Sequence, residues 1–260
     1  YTNRQIMGNA KRVALVTGSA SGIGSAVAVR LANEGFDTIV NYSQSADSAS
    51  ETAEKCTAAG SDTLLVQCDV SSEAGVVSML NDIEKKYGRL DVVINNAGTS
   101  ISTLAKDFDK VSEEEFDRVL AVNVKGMFLV AKHSKELLNE GVGPCIINTA
   151  SIVGLRPGPQ PLPYSASKAA VISMTQSLSL ALGPKVRVNA VAPGWMEGEW
   201  MERMLGENYE KLMERRAKMT PLKRCATAED VAEVVYALIE HMHFVTGETI
   251  IIDGGFANTT

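Results

Sequence analysis

The chain has 260 residues, 45% of them hydrophobic, and its 25 Lys and Arg against 31 Asp and Glu leave a net charge of −6. That length buries one substantial core, and no composition shift marks a linker, so a single domain over 11–260 is expected. The acidic balance and scattered cations argue against nucleic acid and anionic membranes as partners, and no apolar run reaches the length of a membrane span.

The polar start, residues 1–10, lacks the apolar core of a signal peptide. It reads as an N-terminal tail, or as a remnant of expression ahead of a native start at Met7. Cys56, Cys68, Cys145 and Cys225 lie far apart without metal-ligand spacing. They read as small buried hydrophobes, which suits a reducing, cytoplasmic setting.

In chain order, Arg12 to Thr17 is a β-branched run that breaks into Gly18 to Gly24 before the helical periodicity of Val27, Leu31 and Ala32. Strand, glycine turn and helix N-terminus together suit a pyrophosphate, because glycine lets the backbone approach and the amides carry the positive end of the helix dipole. The second strand, Thr38 to Tyr42, ends without the acid that would hold the ribose hydroxyls of NAD. NADP is therefore favoured over NAD. The following loop has no Lys or Arg for a 2′-phosphate, so Ser19, Asn41, Ser43 and Gln44 are the available neutral donors.

A helix to Ala59 and a third strand, Thr63 to Cys68, lead to Asp69 and Val70. Ser71 and Ser72 can cap the next helix, which leaves Asp69 free to accept from an adenine amino group. That helix stops at Gly88, and the fourth strand, Asp91 to Ile94, runs into Asn95, Asn96, Ala97 and Gly98 at its carboxyl end, where open α/β sheets bind ligands. A capping box at Ser112 to Glu115 opens a helix expected to continue to Asn139. Asn123 sits within it among apolar neighbours, which predicts a buried polar duty.

The fifth strand, Cys145 to Ala150, delivers Ser151. The proline-rich stretch Arg156 to Pro163 predicts a stiff loop. A helix then runs from Tyr164 to Leu182 with small residues along it, and it places Tyr164 and Lys168 on one face. A free phenol titrates near 10, so proton exchange at neutrality requires its anion to be stabilised by roughly 4 kcal/mol, part of which a neighbouring ammonium supplies. After the sixth strand, Val186 to Ala192, come Pro193, Gly194 and the bulky stretch Trp195 to Leu205, read either as a core-facing helix or as a mobile lid. Thr227 caps a last helix, and Thr249 to Ile252 is the final strand. His133, His241 and His243 lack a third ligand at metal spacing, so no metal is expected.

Taken together, the sequence resembles the short-chain dehydrogenase/reductase family from about Lys11 to Phe256. The motifs that carry the resemblance are Thr17 to Gly24 (TGSASGIG), Asn95 to Gly98 (NNAG), Pro193-Gly194, and Tyr164 and Lys168 at YxxxK spacing. The resemblance implies a doubly wound Rossmann-type sheet of seven parallel strands with helices on both faces. It implies a catalytic tetrad of Asn123, Ser151, Tyr164 and Lys168. It also implies a nicotinamide cofactor held by Gly18, Ser19, Ser21, Gly22, Ile23 and Gly24, by Asn41, Tyr42 and Ser43, by Asp69 and Val70, by Asn95, Ala97 and Gly98, by Tyr164 and Lys168, and by Pro193, Gly194 and Met196. Gly198 stands where the family commonly has a threonine that bonds the nicotinamide amide, leaving that task to Met196 backbone groups.

Ser151, Ile152, Trp195, Trp200 and Met201 are expected to line a substrate site. The expected activity is hydride transfer between cofactor and a carbonyl or secondary alcohol, similar to 3-oxoacyl-acyl-carrier-protein reductases. The alternatives are a sugar or alcohol dehydrogenase of the same family, or a catalytically silent dinucleotide-binding regulatory protein. A homotetramer or homodimer is expected, packed through the helices of Asn123 and Tyr164.

Overall fold

Alternation in the strands decides the layering. In β1 (Val13–Val16), Val13 and Leu15 enter one core while Ala14 and Val16 enter another, so both faces of the strand are apolar and both are covered. The same alternation recurs in β4 (Val92–Asn95), where Val93 faces the first core and Val92 and Ile94 the second, and in β5 (Cys145–Thr149), where Ile146 opposes Cys145 and Ile147. The structure, a computed structural model, describes residues 11–259, and the tail reading of residues 1–10 lies outside them.

With β2 (Asp37–Tyr42), β3 (Leu64–Gln67), β6 (Arg187–Pro193) and β7 (Thr249–Ile252), these strands form one parallel sheet in the order 3-2-1-4-5-6-7. One face carries α1 (Gly22–Asn33), α2 (Ala46–Ala58) and α9 (Ala228–Glu240), whose Val27, Leu31, Ala49, Val231 and Val235 fill the second core. The other carries α3 (Glu73–Tyr87), α5 (Met127–Asn139) and α6 (Leu162–Leu182), with Val76, Met79, Leu129 and Leu138 in the first core. Strand order reverses between β1 and β4, so the crevice at their carboxyl ends is the place for a ligand.

Two boundaries differ from the sequence expectation. The proline-rich loop gives way to α6 two residues early, at Leu162, because Pro163 in the first turn needs no N–H partner. The helix begun at Glu113 is also not continuous: α4 (Glu113–Leu120) passes into a π-helical turn at Ala121–Gly126 before α5 resumes. Asn123 is in that turn. Such turns are rare and frequently mark functional sites.

Candidate active site

The glycine turn is built from inside the protein. Gly18 has φ +60, and a Cβ there would lie 2.6 Å from Ala97 Cα, so the position excludes a side chain on two counts. Thr17 Oγ1 accepts from the amides of Asn96 (3.0 Å) and Ala97 (3.1 Å), while Asn96 Nδ2 donates to the carbonyls of Thr17 (3.2 Å) and Gly18 (2.9 Å). These bonds tie the turn to the end of β4.

Ser19 and Asn41 are corrected by the same network. Ser19 Oγ donates to Val16 O (2.8 Å) and accepts from Asn41 N (3.0 Å), and Asn41 Oδ1 accepts from Gly18 N while its Nδ2 donates to Cys68 O (3.1 Å). Both side chains are buried and spent on the scaffold, which removes them as neutral donors to a 2′-phosphate. Exposed Ser43 and Gln44 remain, beside half-buried Tyr42. Asn95 is likewise a sheet residue: its Nδ2 donates to Asn148 Oδ1 (3.0 Å), and Asn148 Nδ2 donates to Thr175 Oγ1 (2.9 Å), linking β4, β5 and α6. Its neighbour Asn96, which the sequence did not single out, holds the turn.

Asp69, with Val70 buried beside it, is half-exposed after β3. One carboxylate oxygen accepts from the Ser71 amide (2.9 Å) and hydroxyl (2.7 Å), the other from Arg118 Nη1 (3.0 Å), while Ser72 caps α3. The Ser71 and Arg118 bonds outweigh desolvation, the largest single influence, and hold the carboxyl below its usual range.

At the carboxyl end of β5, Ser151 leads into a short turn at Ile152–Gly154 that presses on α6: a Cβ on Gly154 would lie 2.6 Å from the Lys168 carbonyl carbon. This contact sets Ser151 against the face bearing Tyr164 and Lys168. Lys168 is buried, donates from Nζ to Thr149 O (2.6 Å) and sits 5.6 Å from the Tyr164 ring centre. Burial pushes the ammonium down to about 8 and the Tyr164 phenol up to about 12, the latter opposed by a hydrogen bond with the Ser151 side chain. At the Tyr164 phenol, burial is the larger influence and the Ser151 bond the smaller.

Asn123 binds the Thr99 backbone on both sides, Oδ1 accepting from its N–H (2.8 Å) and Nδ2 donating to its carbonyl (2.9 Å), and Nδ2 also donates to Ser167 Oγ (2.9 Å). Ser167 Oγ in turn donates to Tyr164 O (2.7 Å). The π turn therefore holds both the loop after Gly98 and the first turns of α6. Neither Thr99 nor Ser167 was singled out from sequence. A Cβ on Gly98 would lie 3.5 Å from Asn123 Oδ1 and 3.8 Å from Lys168 Nζ, which places this loop beside the ammonium.

A family model described as "Enoyl-(Acyl carrier protein) reductase" matches residues 18–257. The chain is 35% identical over 245 residues to the 3-oxoacyl-acyl-carrier-protein reductase FabG of Staphylococcus aureus, covering 93% of this chain and 96% of that protein. The protein belongs to the short-chain dehydrogenase/reductase family. A short-chain dehydrogenase/reductase of Armillaria gallica is 38% identical over 251 residues, covering 94% and 95% of the two chains. The solved structure of an NAD+-bound xylitol dehydrogenase superposes with a TM-score of 0.85 at 30% identity, covering 94% of this chain and 98% of that one. As a short-chain dehydrogenase/reductase the protein is an NAD(P)-dependent oxidoreductase acting on CH–OH or C=O groups.

The glycine turn and the end of β6 fit a dinucleotide. Trp195 O accepts from Ala226 N (2.9 Å) and Glu197 N donates to Ala226 O (3.0 Å), the pattern of a parallel bridge between Met196 and Ala226. Met196's own N–H and C=O therefore face the opposite way. Pro193 and Gly194 are fixed by β7, Gly194 N donating to Ile252 O (2.8 Å). Gly198 has φ +126 and accepts no threonine-like side chain without strain; its N–H donates to Tyr209 Oη (3.2 Å).

Beyond Gly198 the bulky stretch is two helices, α7 (Glu199–Leu205) and α8 (Tyr209–Met219). The core-facing reading holds for part of it. Met201 is buried as a core residue, whereas Trp200 is 42% exposed and stands over Tyr164 with ring centres 5.9 Å apart. Ile152, Val153 and Phe256 form an apolar cluster against which Tyr164, Trp195 and Met219 pack. All four cysteines are free and buried, no metal-ligand group occurs among the described residues, and no helix among them is long and apolar enough to cross a membrane.

Proposed function

We propose that this short-chain dehydrogenase/reductase reduces a carbonyl compound with NADPH favoured over NADH, similar in substrate type to the 3-oxoacyl reductases. The observation that carries the reading is the meeting of Ser151, Tyr164 and Lys168 at the end of β5 beneath Trp200. The cofactor would be held by the Gly18 to Gly24 turn, Asp69, the Gly98 loop, Lys168 and the backbone of Met196. When bound, its nicotinamide supplies the hydride. Tyr164 donates a proton to the carbonyl oxygen, a role suited to a phenol that burial keeps protonated at neutral pH. Ser151 hydrogen-bonds the same oxygen as charge develops, a contribution of about 3 kcal/mol for positioned donors in other enzymes. Asn123 holds the loop and helix in register and would fix a water joining Lys168 to solvent as a proton relay.

The absence of an acid at the end of β2, with Ser43 and Gln44 exposed there, supports the NADPH preference. Its test is the ratio of kcat/KM for NADPH and NADH with a panel of ketones and oxoesters; a preference for NADH overturns the cofactor assignment and leaves the proton chemistry intact. A polyol or alcohol dehydrogenase is the second reading, favoured by the similarity to the NAD+-bound xylitol dehydrogenase. A silent dinucleotide-binding protein would show cofactor-dependent stabilisation without turnover across the panel. We also infer a dimer or tetramer packed through α4, α5 and α6, supported by exposed Phe128, Leu162 and the small exposed residues Ala166 and Ala169; light scattering giving a monomer would overturn it.

A further inference from the structure

Arg216, on α8, is a half-buried cation that the chemistry above does not use. Its guanidinium lies 4.5 Å from the Trp195 ring centre and 5.4 Å from that of Phe256. Both rings belong to the apolar cluster that also receives Tyr164. The Nε atom is buried and has no hydrogen-bond partner, and no carboxylate among the described residues pairs with the guanidinium. Elsewhere in the chain half-buried arginines end on oxygen: Arg12 on Glu240, Arg89 on Asp91, and Arg187 on the carbonyls of Leu238 (2.9 Å) and Ile239 (3.2 Å). Arg216 has two aromatic faces instead.

A guanidinium carries five N–H donors and stays charged at any accessible pH, so leaving its donors unmatched in a partly desolvated place is costly. Burial, together with the nearby Arg215, already disfavours its charge. Stacking on aromatic rings holds the plane of the group in place while leaving its edge free to receive an oxyanion.

Resting on the reductase reading above, we propose that Arg216 is the recognition point for an anionic group on the substrate, so that the physiological substrate is a carbonyl compound bearing a carboxylate or phosphate. Tyr164 and Arg216 would then fix the two ends of one molecule along half-buried Trp195, with buried Ile152 and Phe256 behind it. An apolar spacer between carbonyl and anion suits that setting.

The test pairs each oxo acid from 3-oxobutanoate to 6-oxoheptanoate with its methyl ester, and dihydroxyacetone phosphate with dihydroxyacetone. Binding is measured by calorimetry on the full chain with both NAD+ and NADP+ present, for the wild type, Arg216→Met and Arg216→Lys. Met keeps an apolar stem over Trp195, and Lys keeps the charge. Loss of a charge-assisted pair should weaken binding of the preferred anion by about tenfold or more in R216M while moving the neutral partner by less than about twofold, with R216K in between. The oxo-acid and phosphate arms show which anion is meant. Equal binding of charged and neutral partners by the wild type, or an equal loss of both in R216M, overturns the proposal and leaves Arg216 a stacking element. Turnover of the neutral partners by the wild type checks the reductase reading separately: anion-selective binding without any turnover would sink that reading and keep the anion site.

Discussion

The two halves of the carboxyl edge are built on opposite plans. Around β1, β2 and β4 most polar groups are spent on one another: Thr17, Ser19, Asn41 and Asn96 tie the glycine turn to its neighbours, and Asn95 Oδ1 is the buried atom left over among them. Around β5, β6 and the α7–α8 segment lie a phenol and an ammonium that burial displaces from their usual titration ranges despite their bonds to Ser151 and Thr149, an exposed tryptophan, and an arginine stacked on rings with Nε unpartnered. A tightly bonded cradle suits a ligand that is always the same. Perturbed groups over an apolar floor suit one that the chain must choose and transform.

The sharpest way to break this contrast is Tyr164→Phe. Turnover should fall at least about a thousandfold while cofactor-induced stabilisation stays, because the phenol acts on the substrate and the turn does not depend on it. Full activity in that variant would overturn the assignment of the reactive half.

The next effect is on stability. Lys168 titrates near 8 in the folded protein against 10.5 ordinarily, so between those values the unfolded chain holds more protons, and stability should rise with pH across that window by about 3 kcal/mol. Below pH 8 the full cost of the buried charge is present. Tyr164 acts with the opposite sign at higher pH: raised from 10 to about 12, it makes stability fall as pH climbs between those values. Urea unfolding of cofactor-free protein at stepped pH should show the wild type gaining about 3 kcal/mol relative to Lys168→Met between pH 8 and 10.5; a difference between the two that stays constant with pH would refute the assignment.

On the cradle side, Gly24→Ala drives a methyl into the Gly18 carbonyl oxygen and to 2.6 Å from Asn96 Nδ2. A cost of about 2 kcal/mol in stability and a clear loss of cofactor affinity are expected, because the close packing there has no slack. Calorimetric titration with NADP+ measures it, and unchanged affinity would show the turn to be softer than described. The smallest effect is Trp200→Ala, which removes one ring from a half-exposed stack worth about 1 kcal/mol. KM for hydrophobic ketones should rise several-fold with stability nearly unchanged; a collapse of stability would make α7 part of the core.

The sheet and its layering were legible because they rest on local signals, β-branched runs ending in glycine turns and capping boxes, and a phenol and an ammonium four residues apart pointed to the place where Ser151, Tyr164 and Lys168 lie together. What was not legible depends on partners distant in the chain. Asn96 looks equivalent to Asn95 until Thr17, 79 residues away, is seen beneath it. Asn41 looked like an available donor because nothing local reveals that Gly18 and Cys68 consume it. The π turn hid inside unbroken helical periodicity, since Val122 and Val124 fit either winding. Arg216 sits in a mostly polar helix, and only the fold brings Trp195 and Phe256 under it.

The chain contains two tryptophans, and both stand in the half that carries Tyr164 and Arg216: Trp195 under Arg216, Trp200 over Tyr164. Its intrinsic tryptophan emission is therefore a signal from the reactive half alone. Excitation energy passing from these indoles to a reduced nicotinamide, or a colour shift as Trp200 loses water, would follow ligand arrival and departure in real time without any label. The W200A variant divides that signal between its two sources, so traces of the two proteins separate events at Trp195 from events at Trp200.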